Sequence, residues 1–254
     1  MDRQFIPGIY NFCDRWCERC ALTACCRVYA DEAKLSEDQK DMSKEAFWEY
    51  LDQSLQQALD LIQQQMEEMG IDWEEPETET EKETGDPHEK LPPEEKRLYQ
   101  LSQQYYKKAR NWFEDRQELF QEKEESLKQQ LEMGMAVMPE ALRLTDALDV
   151  INWYSFFIGS KLYRALNGLN NEQILEVNPV QNDANGSAKI TLIAIERSLA
   201  AWEVIRNAFP EASDELLDLF LLLGRMRQGI RGYFPKADAF IRPGFDEPEK
   251  WAHQ

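Results

Sequence analysis

The chain has 254 residues, long enough for one sizeable core, and 43% of them are apolar, which excludes wholesale disorder. Asp and Glu number 48 against 29 Lys and Arg, a net charge of −19. Such a surface repels phosphate backbones and anionic lipid, so nucleic acid and membranes are excluded as partners and a protein partner is expected.

No window approaches the roughly 20 apolar residues of a membrane span. At the N-terminus, Asp2, Arg3 and Gln4 precede a short apolar stretch broken by Pro7 and Gly8, which lacks the apolar core of a secretory signal. A cytoplasmic protein is expected.

Residues 1–30 form a cysteine-rich segment with interleaved aromatics (Phe5, Tyr10, Phe12, Trp16, Tyr29). The next segment, 31–73, carries a first helix over 36–70. Phe47, Leu51, Leu55, Ala58, Ile62, Met66 and Met69 recur every three or four residues, Ser36 or Ser43 offers a cap, and Gly70 offers a stop. Residues 74–91 hold eight acidic and two basic residues, with Pro76, Gly85 and Pro87 among them. That composition predicts a solvated, disordered linker.

The main bundle is expected over 92–254. A long helix follows Pro92 and Pro93 and runs to about Met133, with Leu98, Tyr105, Trp112 and Leu119 every seven residues. Its polar distal part, from Gln121 to Gln130, predicts packing only through Leu127 and Leu131. A helix over 139–168 opens at Pro139 and contains Val150–Ile158, apolar almost all round and so central. Trp153, Tyr154, Phe156, Phe157 and Trp202 read as core. After a polar loop, Asp183, Asn185 or Ser187 caps a helix over 187–208, and Ser213 or Asp214 caps the last, 214–231. The tail from 232 is broken by prolines, and its Phe234, Phe240, Phe245 and Trp251 predict docking on the bundle. The fold class is therefore all-α, a bundle of about five long helices with a short Cys-rich N-terminal segment and an irregular tail.

All five cysteines lie between Cys13 and Cys26. The spacing is Cys13-x3-Cys17-x2-Cys20-x5-Cys26, with Cys25 adjacent. A disulfide framework would be spread along a small secreted chain. On a helix, Cys13, Cys17 and Cys20 fall at i, i+4 and i+7, within roughly 60° of one another. A bend after Cys20 would bring in Cys26, with Cys25 as the alternative fourth ligand. Four thiolates suit tetrahedral zinc or a [4Fe–4S] cluster, and soft sulfur excludes magnesium and calcium.

Cys13-x3-Cys17-x2-Cys20 is also similar to the cluster-binding motif of radical S-adenosylmethionine enzymes. That resemblance implies a β/α barrel and an open iron position. The chain offers neither the strands nor a need for an open position, and the family is excluded.

Other chemistry is sparse. The two histidines, His88 and His253, stand in no Glu-x-x-His pair, which excludes a ferritin-like di-iron site and His-based nucleophile activation. Asp149, Lys189 and Arg197 are charges within apolar runs, and Asp149 with Lys189 or Arg197 makes a candidate inter-helix pair lining a polar pocket between the last three helices. The expected function is a metal-binding accessory or interaction protein without catalytic apparatus. The alternatives are a [4Fe–4S] redox or sensor protein, and an enzyme using that polar pocket.

Overall fold

The computed structural model describes residues 5–69, 91–169 and 178–247. Among them the chain is all-α with no strand. It divides into two compact units, one formed by residues 1–6 with 17–85, the other by residues 7–16 with 86–254.

The larger unit is built on four long helices. After α1 (Arg27–Glu32), α2 (Glu37–Lys40) and α3 (Glu45–Glu68) of the smaller unit come α4 (Pro93–Asp115), α5 (Gln117–Glu132), α6 (Met138–Gly168), α7 (Asp183–Ala208) and α8 (Ser213–Tyr233). Side-chain pairings give their directions. Tyr99 meets Tyr163 and Tyr106 meets Phe156, so α4 and α6 are antiparallel. Gly168 abuts Ala184, while Tyr154 bonds Arg197, so α6 and α7 are antiparallel. Glu196 pairs with Arg231, and Arg206 lies over Phe220, which sets α8 against α7. Lys108 pairs with Asp218 and Leu98 packs on Gly229, which closes the ring from α8 back to α4. The result is an up-down-up-down four-helix bundle.

Its core is aromatic at one end. Trp202 is fully buried, donates its indole N–H to Tyr105 Oη at 3.0 Å, and stacks on Phe113 with ring centres 5.4 Å apart. Trp112 meets Trp202 edge-on at 5.5 Å, and Phe120 carries the cluster to Phe209. Rings this large contribute the most apolar area per residue and hold one another in tilted or offset pairs.

Several local expectations are corrected. The long helix after Pro93 is two helices, because Arg116 leaves helical geometry (φ −117°, ψ 22°) while its guanidinium forks onto Glu215. With that division, six helices of 16 or more residues make up the expected all-α fold among the described residues. Helix α7 starts earlier than Ser187. Its cap is Asn182, whose side chain accepts from the Asn185 N–H at 2.9 Å, and Asn185 in turn donates to the carbonyls of Pro179 and Val180. Phe156, expected in the core, is 69% exposed, because Ile151, Tyr154 and Ile158 take the inner face of α6. The acidic stretch 74–90 lies outside the described residues, whereas Leu91 is buried. Past α8, Phe234, Ala237 and Phe240 are buried and Lys189 reaches Asp246; Trp251 lies outside the described residues.

The smaller unit has little interior. Its first helical expectation, 36–70, is interrupted. Ser36 and Gln39 form a reciprocal capping box on α2, the chain breaks at residues 41–44, and α3 follows with no side-chain cap. The buried apolar residues described in this unit are Ile6 and Ala30, and no residue of α3 is buried.

Candidate metal site

The cysteine segment is not one helix. It is a series of short 3-10 turns, Ile9–Asn11, Cys17–Arg19 and Thr23–Cys25, separated by bends. Gly8 (φ 70°) and Arg15 (φ 60°) both adopt left-handed backbone, which a continuous helix forbids. Cys13, Cys17 and Cys20 therefore do not line one helical face. Among the described residues, no group of three or more His, Cys, Asp or Glu side chains stands in a metal-ligating arrangement. None of the five cysteines forms a disulfide, and all are half-buried.

Residues 7–16 belong with the bundle and are clamped to it. Ile9 is buried. The Phe12 ring lies 4.6 Å from that of Phe240, and both cover Gly186 on α7. Lys161 donates to the Asn11 carbonyl at 2.9 Å. Burial, together with Arg164, lowers the Lys161 pKa, which is the usual response of an ammonium leaving water.

Asp14 is the centre of this clamp. Its carboxylate accepts from Tyr154 Oη at 2.6 Å and Arg197 Nη1 at 2.7 Å, and its carbonyl accepts from Trp153 Nε1 at 2.9 Å. Burial and the Asp14 carboxylate hold the Tyr154 phenol protonated, its pKa pushed up to about 12 against the opposing pull of Arg197. Trp16 then stacks on Trp153, ring centres 5.0 Å apart.

Cys13 sits within this clamped stretch. Its thiol donates to the Tyr10 carbonyl, S to O 3.6 Å, and burial pushes its pKa up despite Arg15. A protonated, hydrogen-bonding thiol is not the form that binds metal.

Cys17, Cys20, Cys25 and Cys26 belong to the smaller unit. The Cys20 N–H donates to the Cys17 carbonyl at 3.1 Å, and the Leu22 N–H donates to Cys20 Sγ at 3.4 Å. The N–H groups of Cys25 and Cys26 close turns onto Leu22 and Thr23, and the Cys25 carbonyl receives the Ile6 N–H at 3.0 Å. Arg27 lies over the Phe5 ring at 5.5 Å and pairs with Asp31.

Lys189 and Arg197, two of the residues expected to line a polar pocket, each have a carboxylate partner in a chain segment packed on α7. Lys189 pairs with Asp246 and donates to the Phe240 carbonyl, tying down the tail. Arg197, eight residues on, engages Asp14 and Tyr154. Each cation thus fastens a chain segment to α7. Asp14 and Asp246 had no pattern to mark them, since each lies in irregular chain far in sequence from its partner on α7.

The fold and this segment define an all-α protein, a four-helix bundle carrying a cysteine-rich N-terminal segment. No protein-family model, curated protein or solved structure matches the chain. No helix among the described residues is long and apolar enough to cross a membrane.

Proposed function

We propose that this is a cytoplasmic metal-binding protein with an accessory, partner-binding role, in which thiolates of the N-terminal segment bind zinc or a [4Fe–4S] cluster. The observation that carries the reading is the imbalance of the smaller unit. Its described apolar interior is Ile6 and Ala30, yet it holds four cysteines, none in a disulfide, within ten residues. A unit with so small a core needs a staple, and structural metal supplies one.

Cys17, Cys20, Cys25 and Cys26 are the ligands we favour. Cys13, first in the spacing argument, is the less suited because its thiol is held protonated against Tyr10. Cys17 and Cys25 lie in turns of three residues and Cys20 and Cys26 directly follow those turns, elements short enough to rearrange at small cost on metal binding. Clustered cysteines outside any disulfide suit a reducing compartment, which supports the cytoplasmic placement. The reading also fits the lack of an acid–base or nucleophile set.

The test is metal content and melting temperature of the Cys17→Ser variant beside wild type. Loss of metal together with a lower melting temperature in the variant is the expected result. Wild-type metal content with an unchanged melting curve would overturn it. Visible absorbance with matching iron and sulfide identifies the cluster, and a colourless protein with about one zinc per chain identifies zinc.

A further inference from the structure

We infer that α3 is a docking helix for a basic amphipathic helix of a partner protein. The inference deepens the partner-binding role proposed above and does not depend on the metal. Helix α3 has 24 residues, none of them buried. Trp48, Leu51, Leu55, Ala58 and Ile62 follow one another at alternating steps of three and four, the seam of a two-stranded coiled coil, with Leu59, Leu61 and Met66 beside it. Trp48 and Leu55 are each 57% exposed, and Ile62 is 46% exposed. A contiguous apolar stripe of this length on a water-facing helix marks an interaction surface, and a tryptophan within it is the commonest kind of anchor.

Charge selects the occupant. The helix carries six acidic residues and no basic one. None of those carboxylates enters an ion pair among the described residues. In the bundle, by contrast, Asp218, Glu215 and Asp183 each hold a cation. A second copy would lay another six unpaired carboxylates alongside, and anionic lipid would be repelled. A helix with an apolar seam flanked by Lys or Arg satisfies both the stripe and the charge.

The experiment uses the full chain and two synthetic peptides matched to α3 in length. Both carry leucine along the seam, one with flanking lysines and one with flanking glutamates. Binding is followed by anisotropy, with wild type, Leu55→Asp and Ile62→Asp, and metal content is measured on the same samples. Because no α3 residue is buried, both variants keep the wild-type melting curve. The lysine peptide binds wild type, the glutamate peptide does not, and each aspartate variant binds the lysine peptide about tenfold or more weakly. Since each variant adds negative charge, equal or tighter binding by the variants would mean simple charge attraction and overturn the inference. So would failure of the lysine peptide to bind, or a wild-type dimer in sedimentation that Ile62→Asp dissociates. Unchanged metal content in Ile62→Asp keeps this result separate from the metal reading.

Discussion

Gly186 shows how one missing side chain can fix a segment. A β-carbon there would fall 2.7 Å from the Phe240 ring and closer still to Phe12. Neither ring is a flexible tip, since each is wedged by the other at 4.6 Å. Gly186→Ala should therefore destabilise the bundle by about 1–3 kcal/mol, the usual cost of overpacking, even though alanine favours helix. Urea denaturation measures this directly; an alanine variant as stable as wild type would show that the rings yield freely.

Asp246 makes the second residue-scale prediction. Burial alone would raise its pKa, but the side chains of Arg242 and Lys189 and the Arg242 N–H outweigh that and hold it at about 2. An unfolded aspartate titrates near about 4. The stabilisation is thus complete above about pH 4 and is lost as the pH falls towards 2, and it amounts to about 2 kcal/mol at neutral pH. Asp246→Asn should lose that amount at pH 7, and the gap to wild type should narrow between pH 4 and pH 3. A gap that does not change with pH would mean that charge is not the source. Neither Asp246 nor Asp14 was legible in the sequence, because irregular chain has no periodicity to place a side chain against a distant helix.

Among the elements, legibility followed the hydrophobic period. The seven-residue recurrence of Leu98, Tyr105 and Trp112 placed α4, and those residues are buried as the period requires. The break at Arg116 carries no proline or glycine; the Arg116 guanidinium there pairs with Glu215 of α8, a tertiary contact that local pattern does not encode. The start of α7 was missed for a related reason. Asn182 caps it while anchored to the Asn178 carbonyl, so loop and cap form one hydrogen-bonded unit. In α3 the same periodicity marks a face with no buried residue among the described residues of its unit. Element-scale mutations separate the two cases. Trp202→Ala should cost about 3–5 kcal/mol, while Ile62→Asp should change stability by no more than about 0.5 kcal/mol. Thermal melts of the two variants check both, and a large loss in Ile62→Asp would mean that α3 is covered in the folded chain.

At the scale of the whole molecule, the two units differ in what holds them. The bundle has a continuous core from Leu91 to Ala237 with aromatic clusters and antiparallel helix pairs. The smaller unit has exposed ion pairs such as Arg27–Asp31 and Lys34–Asp31, which contribute little each, and its cysteines. The cysteine cluster was the plainest feature of the sequence. Its expected helical geometry was not found, because left-handed backbone at Gly8 and Arg15 divides the segment into turns. The proposed metal reading rests on the thiol chemistry of Cys17, Cys20, Cys25 and Cys26.

The most direct test of that chemistry is elemental and sulfide analysis of anaerobically purified wild type and the Cys17→Ser variant, with an absorbance spectrum of each. The account predicts stoichiometric zinc, or iron with matching sulfide, in wild type and its loss in the variant. Wild-type protein free of metal, with a melting curve that the variant shares, would contradict it.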